Sequence, residues 1–123
     1  VDEIALSGTI YKYTNVLFGY QKRYFKLRRG TIYYYLSKEV ESEGCRKFRV
    51  LKNFRLEVVD ISPIYILVFQ TDEDPCRLDV CFPDDDRWFL KFNNKEEREL
   101  WQNALQSFLN NVFYEKRFLK HLI

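Results

Sequence analysis

One histidine, His121, and three cysteines, Cys45, Cys76 and Cys81, are all that the 123-residue chain holds of the usual soft metal ligands. Their spacings suit neither a zinc centre nor a disulfide framework, so no metal is expected and a reducing, cytosolic setting is. Long hydrophobic runs are missing too. The longest apolar stretch, "PIYILVF" at 63–69, falls far short of the ~20 residues that span a bilayer. The first residues show no basic, apolar, small-residue signal pattern. No nucleophile–base pair and no glycine-rich phosphate loop is visible, and the acidic clusters "DEDP" and "PDDD" read as turns that fit no calcium-loop pattern. Neither an enzyme nor a cofactor is indicated.

Aromatic residues, in contrast, are abundant at 18%, with nine tyrosines and eleven phenylalanines, which favours strands over an all-helical chain. The length allows one domain with its own core. Alternation marks strands at 7–14, 20–28 and 31–36, the last two joined by a tight turn at Arg29-Gly30. On these strands Gly8, Ile10 and Lys12 share one face, as do Arg23, Phe25 and Leu27, and Ile32 and Tyr34. Further strands are expected at 45–51, 54–60, 76–82 and 87–92, and the apolar run within 60–75 could add another. The period then changes. Asn94 followed by Glu97 forms a helix cap box, and Leu100, Trp101, Ala104, Leu105, Phe108, Leu109 and Val112 recur at helical spacing. Trp101, mid-stripe, is a core residue on this reading. The tail "YEKRFLKHLI" either extends the helix or forms a second contact. Short strands with tight turns, closed by one helix, point to a barrel or sandwich.

Charge is unevenly spread. Between Lys12 and Arg55 stand twelve Lys or Arg and three Glu, a balance of +9, and the remainder of the chain carries −7. One end is therefore expected to attract an anionic partner. Lys12 and Arg23, placed by alternation on the core-facing side, are tolerable there only at an open rim where an anion or solvent pairs them. Arginine suits phosphate through its planar fork, and Tyr34 adds a hydroxyl. The alternative for Arg23 is an internal ion pair with Asp79 or a loop glutamate, and for Lys12 a solvated strand end. Between the basic arms, Asn15 and Gly19 bracket Val16, Leu17 and Phe18 in a hairpin loop. Such a tip can enter a bilayer, gaining roughly 25 cal/mol per Å² of apolar surface, with Tyr13 and Tyr20 in the interfacial zone. Its alternatives are packing of the loop on those two tyrosines, or a crystal or protein contact. Lys22 and Lys26 face outward and would contribute about 1 kcal/mol each beside an anionic leaflet.

The stretches "GTIYKYTN" and "GYQKRYFKLRRGTIYYY", with "GCR" at 44–46 and Trp101 in the helix, resemble the pleckstrin homology domains of the oxysterol-binding and ceramide-transfer lipid carriers. The resemblance covers roughly residues 7–110. It implies a mainly β fold, a barrel of two near-orthogonal antiparallel sheets capped by a C-terminal α-helix, in a single domain spanning 1–123. Residues 60–75 then form an insertion and 111–123 a basic, apolar extension. It further implies a non-catalytic, phosphoinositide-binding module that reads phosphatidylinositol 4-phosphate, peripheral on Golgi or similar membranes. The headgroup would be held by Lys12, Arg23, Tyr34 and Arg46, and Tyr13, Val16, Leu17, Phe18 and Tyr20 would meet the bilayer. Gln21 stands where binders of several phosphates carry Lys or Arg, which argues for a lightly phosphorylated headgroup. Tyr13 replaces the usual loop tryptophan and Val16 an aromatic, so insertion would take a modified form. The rival is a protein-interaction module on the same fold, for a small GTPase or a peptide strand added at a sheet edge. Nucleic acid is not expected, because the apolar loop has no task there.

Overall fold

Alternation within its strands folds the stretch 6–35 as an antiparallel meander of β1 (Leu6–Asn15), β2 (Gly19–Arg28) and β3 (Thr31–Tyr35), with Tyr24 buried beside Phe25 as a departure from the pattern. The computed structural model describes residues 6–58 and 76–122. The β2–β3 connection is a two-residue turn with Arg29 at φ 51° and Gly30 at φ 71°, the doubly left-handed geometry whose twist matches that of hairpin strands. β4 (Lys47–Val50), β5 (Arg55–Val58), β6 (Arg77–Cys81) and β7 (Arg87–Lys91) follow, and α1 (Lys95–Leu122) ends the chain. A 3-10 turn at Glu41–Glu43 lies in the loop before β4.

The expected barrel of two near-orthogonal sheets is overturned. All seven strands form one antiparallel sheet in the order β4-β3-β2-β1-β7-β6-β5, and it is not closed. The reason lies at both ends of that order. β1 pairs with β2 along its length and also with β7, through Tyr11↔Lys91 and Lys12↔Leu90, which merges the two halves. β4 pairs with β3 and β5 with β6, but they share no ladder with each other. Between them, Asn53 turns the chain at φ 51° and sends Leu51 and Phe54 into the core instead of continuing the hydrogen-bond pattern. Side chains hold the halves together in a sandwich-like arrangement: Trp88 of β7 meets Phe25 at 6.2 Å and Tyr34 at 5.2 Å between ring centres. Aromatic pairs in edge geometry add to the burial of their surface. Arg49 of β4 also forks onto Asp84 (2.8 and 2.9 Å) and reaches Asp86 at 3.2 Å, in the β6–β7 turn.

α1 starts as its cap predicts. The Glu97 amide donates to Asn94 Oδ1 at 2.8 Å, satisfying one orphan N–H of the first turn. Trp101 and Leu105 enter the core, while Leu100 stays exposed despite its place in the apolar stripe. A Cβ at Gly8 would sit 3.9 Å from the Trp101 ring, and one at Gly30 would sit 3.9 Å from Phe108. Both glycines lie at the start of β1 and the end of β2, so the helix covers that end and leaves the β1–β2 tip uncovered. The helix runs on through the tail to Leu122. The expected insertion at 60–75 and the side chain of Val112 lie outside the described residues. All three cysteines are free.

Candidate functional site: a cationic cleft beneath an apolar tip

Period-two alternation carries each strand's inner face from apolar to basic as it nears the uncovered end. On β1, Ile10 is followed by Lys12 and then Thr14, and on β2 Leu27 and Phe25 give way to Arg23 and Gln21. A cleft of about 470 Å³ opens there, lined by Lys12, Thr14, Asn15, Phe18, Gln21, Arg23, Tyr34 and Arg46. The structure thus brings Lys12, Arg23, Tyr34 and Arg46 to one cleft. Arg46 is held next to Tyr34 because its amide donates to the Tyr34 carbonyl at 2.8 Å.

Lys12 Nζ lies over the rings of Tyr34 (5.4 Å) and Trp88 (5.7 Å) and makes a long bond to the Tyr13 carbonyl at 3.4 Å. Burial pushes its ammonium below the ordinary lysine range. Lys47 and Arg23 push the same way, while Asp86 opposes them. Arg23 Nη1 donates to the Lys22 carbonyl at 2.7 Å. Among the described residues no carboxylate forms an ion pair with Lys12, Arg23 or Arg46. The alternative partner, Asp79, is buried on β6 and takes a two-pronged contact from Arg77 instead, both bonds at 2.8 Å. Three cations thus face one cleft, none of them in an ion pair with a carboxylate of the described residues, an arrangement that suits an external anion.

At the rim, Val16, Leu17 and Phe18 are 91%, 88% and 66% exposed. The tip is held from within. Asn15 Oδ1 accepts from the Leu17 amide (3.0 Å) and the Phe18 amide (2.9 Å). Gln21 Nε2 donates to the Phe18 carbonyl at 2.6 Å, and Thr14 Oγ1 to the Gly19 carbonyl at 2.9 Å. Gly19 re-enters the ladder at φ 61° opposite Asn15, and the register shifts on β1 between Tyr13 and Asn15, leaving Thr14 as the extra residue. Tyr13 and Tyr20 are half-buried below the tip, ring against ring at 5.5 Å, and Tyr13 also meets Phe89 at 6.2 Å. Lys22 is exposed on the outer face over Tyr11. Lys26 does not stand free, because it is paired with Glu41 at 2.5 Å.

Thr14, Asn15 and Gln21 were not among the residues expected to bind, although Thr14 and Gln21 follow from the same alternation that placed Lys12 and Arg23. Lys47 had no sequence signal. It acts on Lys12 because its backbone pairs with Tyr34 across the β3–β4 ladder.

The PH-domain family profile matches residues 4–110. The chain belongs to the PH-domain family. Among curated relatives, it is 33% identical over 100 residues to Pleckstrin homology domain-containing family A member 8 of Danio rerio, covering 81% of this chain and 16% of that protein. It is 30% identical over 99 residues to the Ceramide transfer protein of Mus musculus, covering 80% and 14% respectively. This PH domain therefore spans about a sixth of the first of those relatives and a seventh of the second. In structure it resembles the PH domain of human Oxysterol binding protein-related protein 11, with a TM-score of 0.68 at 23% identity, over 84% of this chain and 78% of that one. It also resembles the C-terminal PH domain of pleckstrin solved in complex with D-myo-Ins(1,2,3,5,6)P5, with a TM-score of 0.65 at 18% identity, over 87% of this chain and 97% of that one. At these identities the two structures establish the fold. PH domains are a non-catalytic class. Among the described residues no three His, Cys, Asp or Glu side chains are grouped so as to hold a metal. No helix of the described residues is long and apolar enough to cross a membrane.

Proposed function

We propose that this PH domain is a phosphoinositide-binding membrane-targeting module, reading phosphatidylinositol 4-phosphate through Lys12, Arg23, Tyr34 and Arg46. The observation that carries the reading is the juxtaposition of an unneutralised cationic cleft with an exposed apolar tip on one rim. The Arg23 and Arg46 forks bind the phosphate, Lys12 supplies a third positive charge, and the Tyr34 hydroxyl donates to an inositol oxygen. Val16, Leu17 and Phe18 enter the hydrocarbon while Tyr13 and Tyr20 stay at the interface, and Lys22 adds diffuse attraction to the anionic leaflet. Gln21, neutral and committed to the Phe18 carbonyl, leaves the cleft one cation short of what several phosphates need, which favours a singly phosphorylated headgroup. The inositol phosphate bound to pleckstrin's domain supports the ligand class, and relatedness to the Ceramide transfer protein supports a place in a lipid-transport protein. On this reading the domain works in the cytoplasm, as part of a lipid-transport protein on Golgi membranes.

Sedimentation with liposomes that differ only in phosphoinositide tests this, with Arg23→Ala and Leu17→Asp alongside the parent chain. Selective binding to phosphatidylinositol 4-phosphate, lost in both variants, is the expected result. Equal binding to any anionic liposome, indifferent to Arg23, would reduce the cleft to diffuse charge. A second reading, an added peptide strand or a small GTPase at a sheet edge, draws on β4 and β5, which end the strand order among the described residues. Membrane recruitment that survives loss of the basic cleft would favour it.

A further inference from the structure

An acidic turn stands beside the cationic cleft. β7 runs antiparallel to β1 with Leu90 opposite Lys12, so the β6–β7 turn lies at the same end as the β1–β2 tip. Its own backbone closes it. The Phe82 amide donates to the Asp86 carbonyl at 2.9 Å, and the Asp85 amide to the Phe82 carbonyl at 3.2 Å. Buried Phe82 anchors the turn, its ring 5.3 Å from that of Trp88, and the Arg49 guanidinium lies 4.3 Å from the Phe82 ring centre. Arg49 forks onto Asp84 with both of its Nη atoms. Asp86 is shared instead, 3.2 Å from Arg49 and 3.7 Å from the half-exposed Lys47.

The Lys47–Asp86 pair links the two sides that flank Lys12. Lys12 Nζ lies over the rings of Tyr34 and Trp88. Lys47 is the ladder partner of Tyr34, and Asp86 precedes Trp88 by two residues. Both charges reach Lys12: burial depresses its ammonium first, Lys47 depresses it further, and Asp86 opposes them. A phosphate held by Lys12 therefore lies in the field of the Asp86 carboxylate as well, where like charges repel. That repulsion grows with the charge brought in, so it falls hardest on a headgroup with several phosphates.

Building on the headgroup reading above, we propose that Asp86 is a specificity determinant of the cleft: its carboxylate, fixed by Arg49 and Lys47, repels a second ring phosphate and confines the site to a singly phosphorylated headgroup. Gln21 withholds a cation from the cleft, and Asp86 adds an anion beside it. Rejection then comes from an unfavourable contact with the wrong ligand as well as from a missing favourable one.

The test is calorimetry on the full chain with two soluble headgroups, that of phosphatidylinositol 4-phosphate and that of phosphatidylinositol 4,5-bisphosphate. The parent chain should prefer the first. Asp86→Asn keeps the side-chain size and leaves Arg49 on Asp84, and thermal melts check that the chain stays folded. It should shift the affinity ratio toward the doubly phosphorylated headgroup by about three- to tenfold, the effect of one screened charge at close range. Asp84→Asn removes the same formal charge from the carboxylate that Arg49 holds, and should move the ratio by less than about twofold. A ratio unchanged in Asp86→Asn, or moved equally by Asp84→Asn, would overturn the proposal. A parent chain that prefers the doubly phosphorylated headgroup would also overturn it, yet leave the cleft a phosphoinositide site. Binding of neither headgroup would overturn the headgroup reading itself, and this inference with it.

Discussion

Truncating Leu17 to alanine separates the two halves of the proposed membrane contact. Leu17 is 88% exposed, so the folded chain loses almost nothing by the change, within about 0.5 kcal/mol. Nearly the whole side chain is available for burial in a second phase. Removing three carbons at about 0.8 kcal/mol each sets a ceiling near 2.4 kcal/mol, and half-depth insertion gives about 1.2 kcal/mol. Binding to liposomes containing phosphatidylinositol 4-phosphate should therefore weaken about eight- to sixtyfold. Affinity for the soluble inositol phosphate headgroup should not change, because Leu17 is not among the residues lining the cleft. Liposome sedimentation and calorimetry with the free headgroup read the two quantities separately. A loss of less than about twofold on liposomes, with Arg23→Ala still abolishing binding, would refute insertion of the tip. Equal losses in both assays would show that Leu17 shapes the cleft instead.

Three further outcomes follow from the described contacts. Lys12 is held below its ordinary value mainly by burial, so the unfolded chain binds more protons between the lowered and the ordinary value, and stability should rise with pH across that alkaline window. Lys12→Met should flatten this rise in melts over a pH series, and headgroup affinity should fall as Lys12 deprotonates. Arg77→Ala strands the buried Asp79 carboxylate and should cost on the order of 3 kcal/mol in denaturant unfolding, whereas an effect under about 1 kcal/mol would mean that Asp79 finds another partner. Asn94→Ala removes the cap on Glu97 N and should cost about 1 kcal/mol, leaving liposome binding unchanged per folded molecule.

Local geometry was legible in the sequence and non-local pairing was not. The alternation that put Ile10, Phe25, Leu27, Ile32 and Tyr34 inside reflects burial of one sheet face, so the strands emerge within a residue or two of their expected ends. Arg29-Gly30 and the Asn94 cap are equally local. Whether β4 and β5 close a barrel depends on hydrogen bonds between edges set by different neighbours, and no residue pattern within either strand encodes that. The pairing of Asp79 was missed for a different reason. Arg77 lies two residues away on the same strand face, a nearer partner than any that the topology could bring from β2. Lys26 read as a surface charge because the chain that reaches back to it, through Glu41, folds over the sheet from a loop with no periodicity.

The hydrogen bonds inside the β1–β2 tip bear on what that tip can do in a medium without water. A backbone amide or carbonyl moved unpaired into hydrocarbon costs about 4–8 kcal/mol, more than an apolar side chain returns on entering. The amides of Leu17 and Phe18 are satisfied by a single side chain, Asn15, and the carbonyls of Phe18 and Gly19 by Gln21 and Thr14. These four main-chain groups carry their solvation with them. Asn15 thus serves the tip as a portable substitute for two water molecules, and an Asn15→Ala chain would keep its oily surface yet have to leave two amides dry.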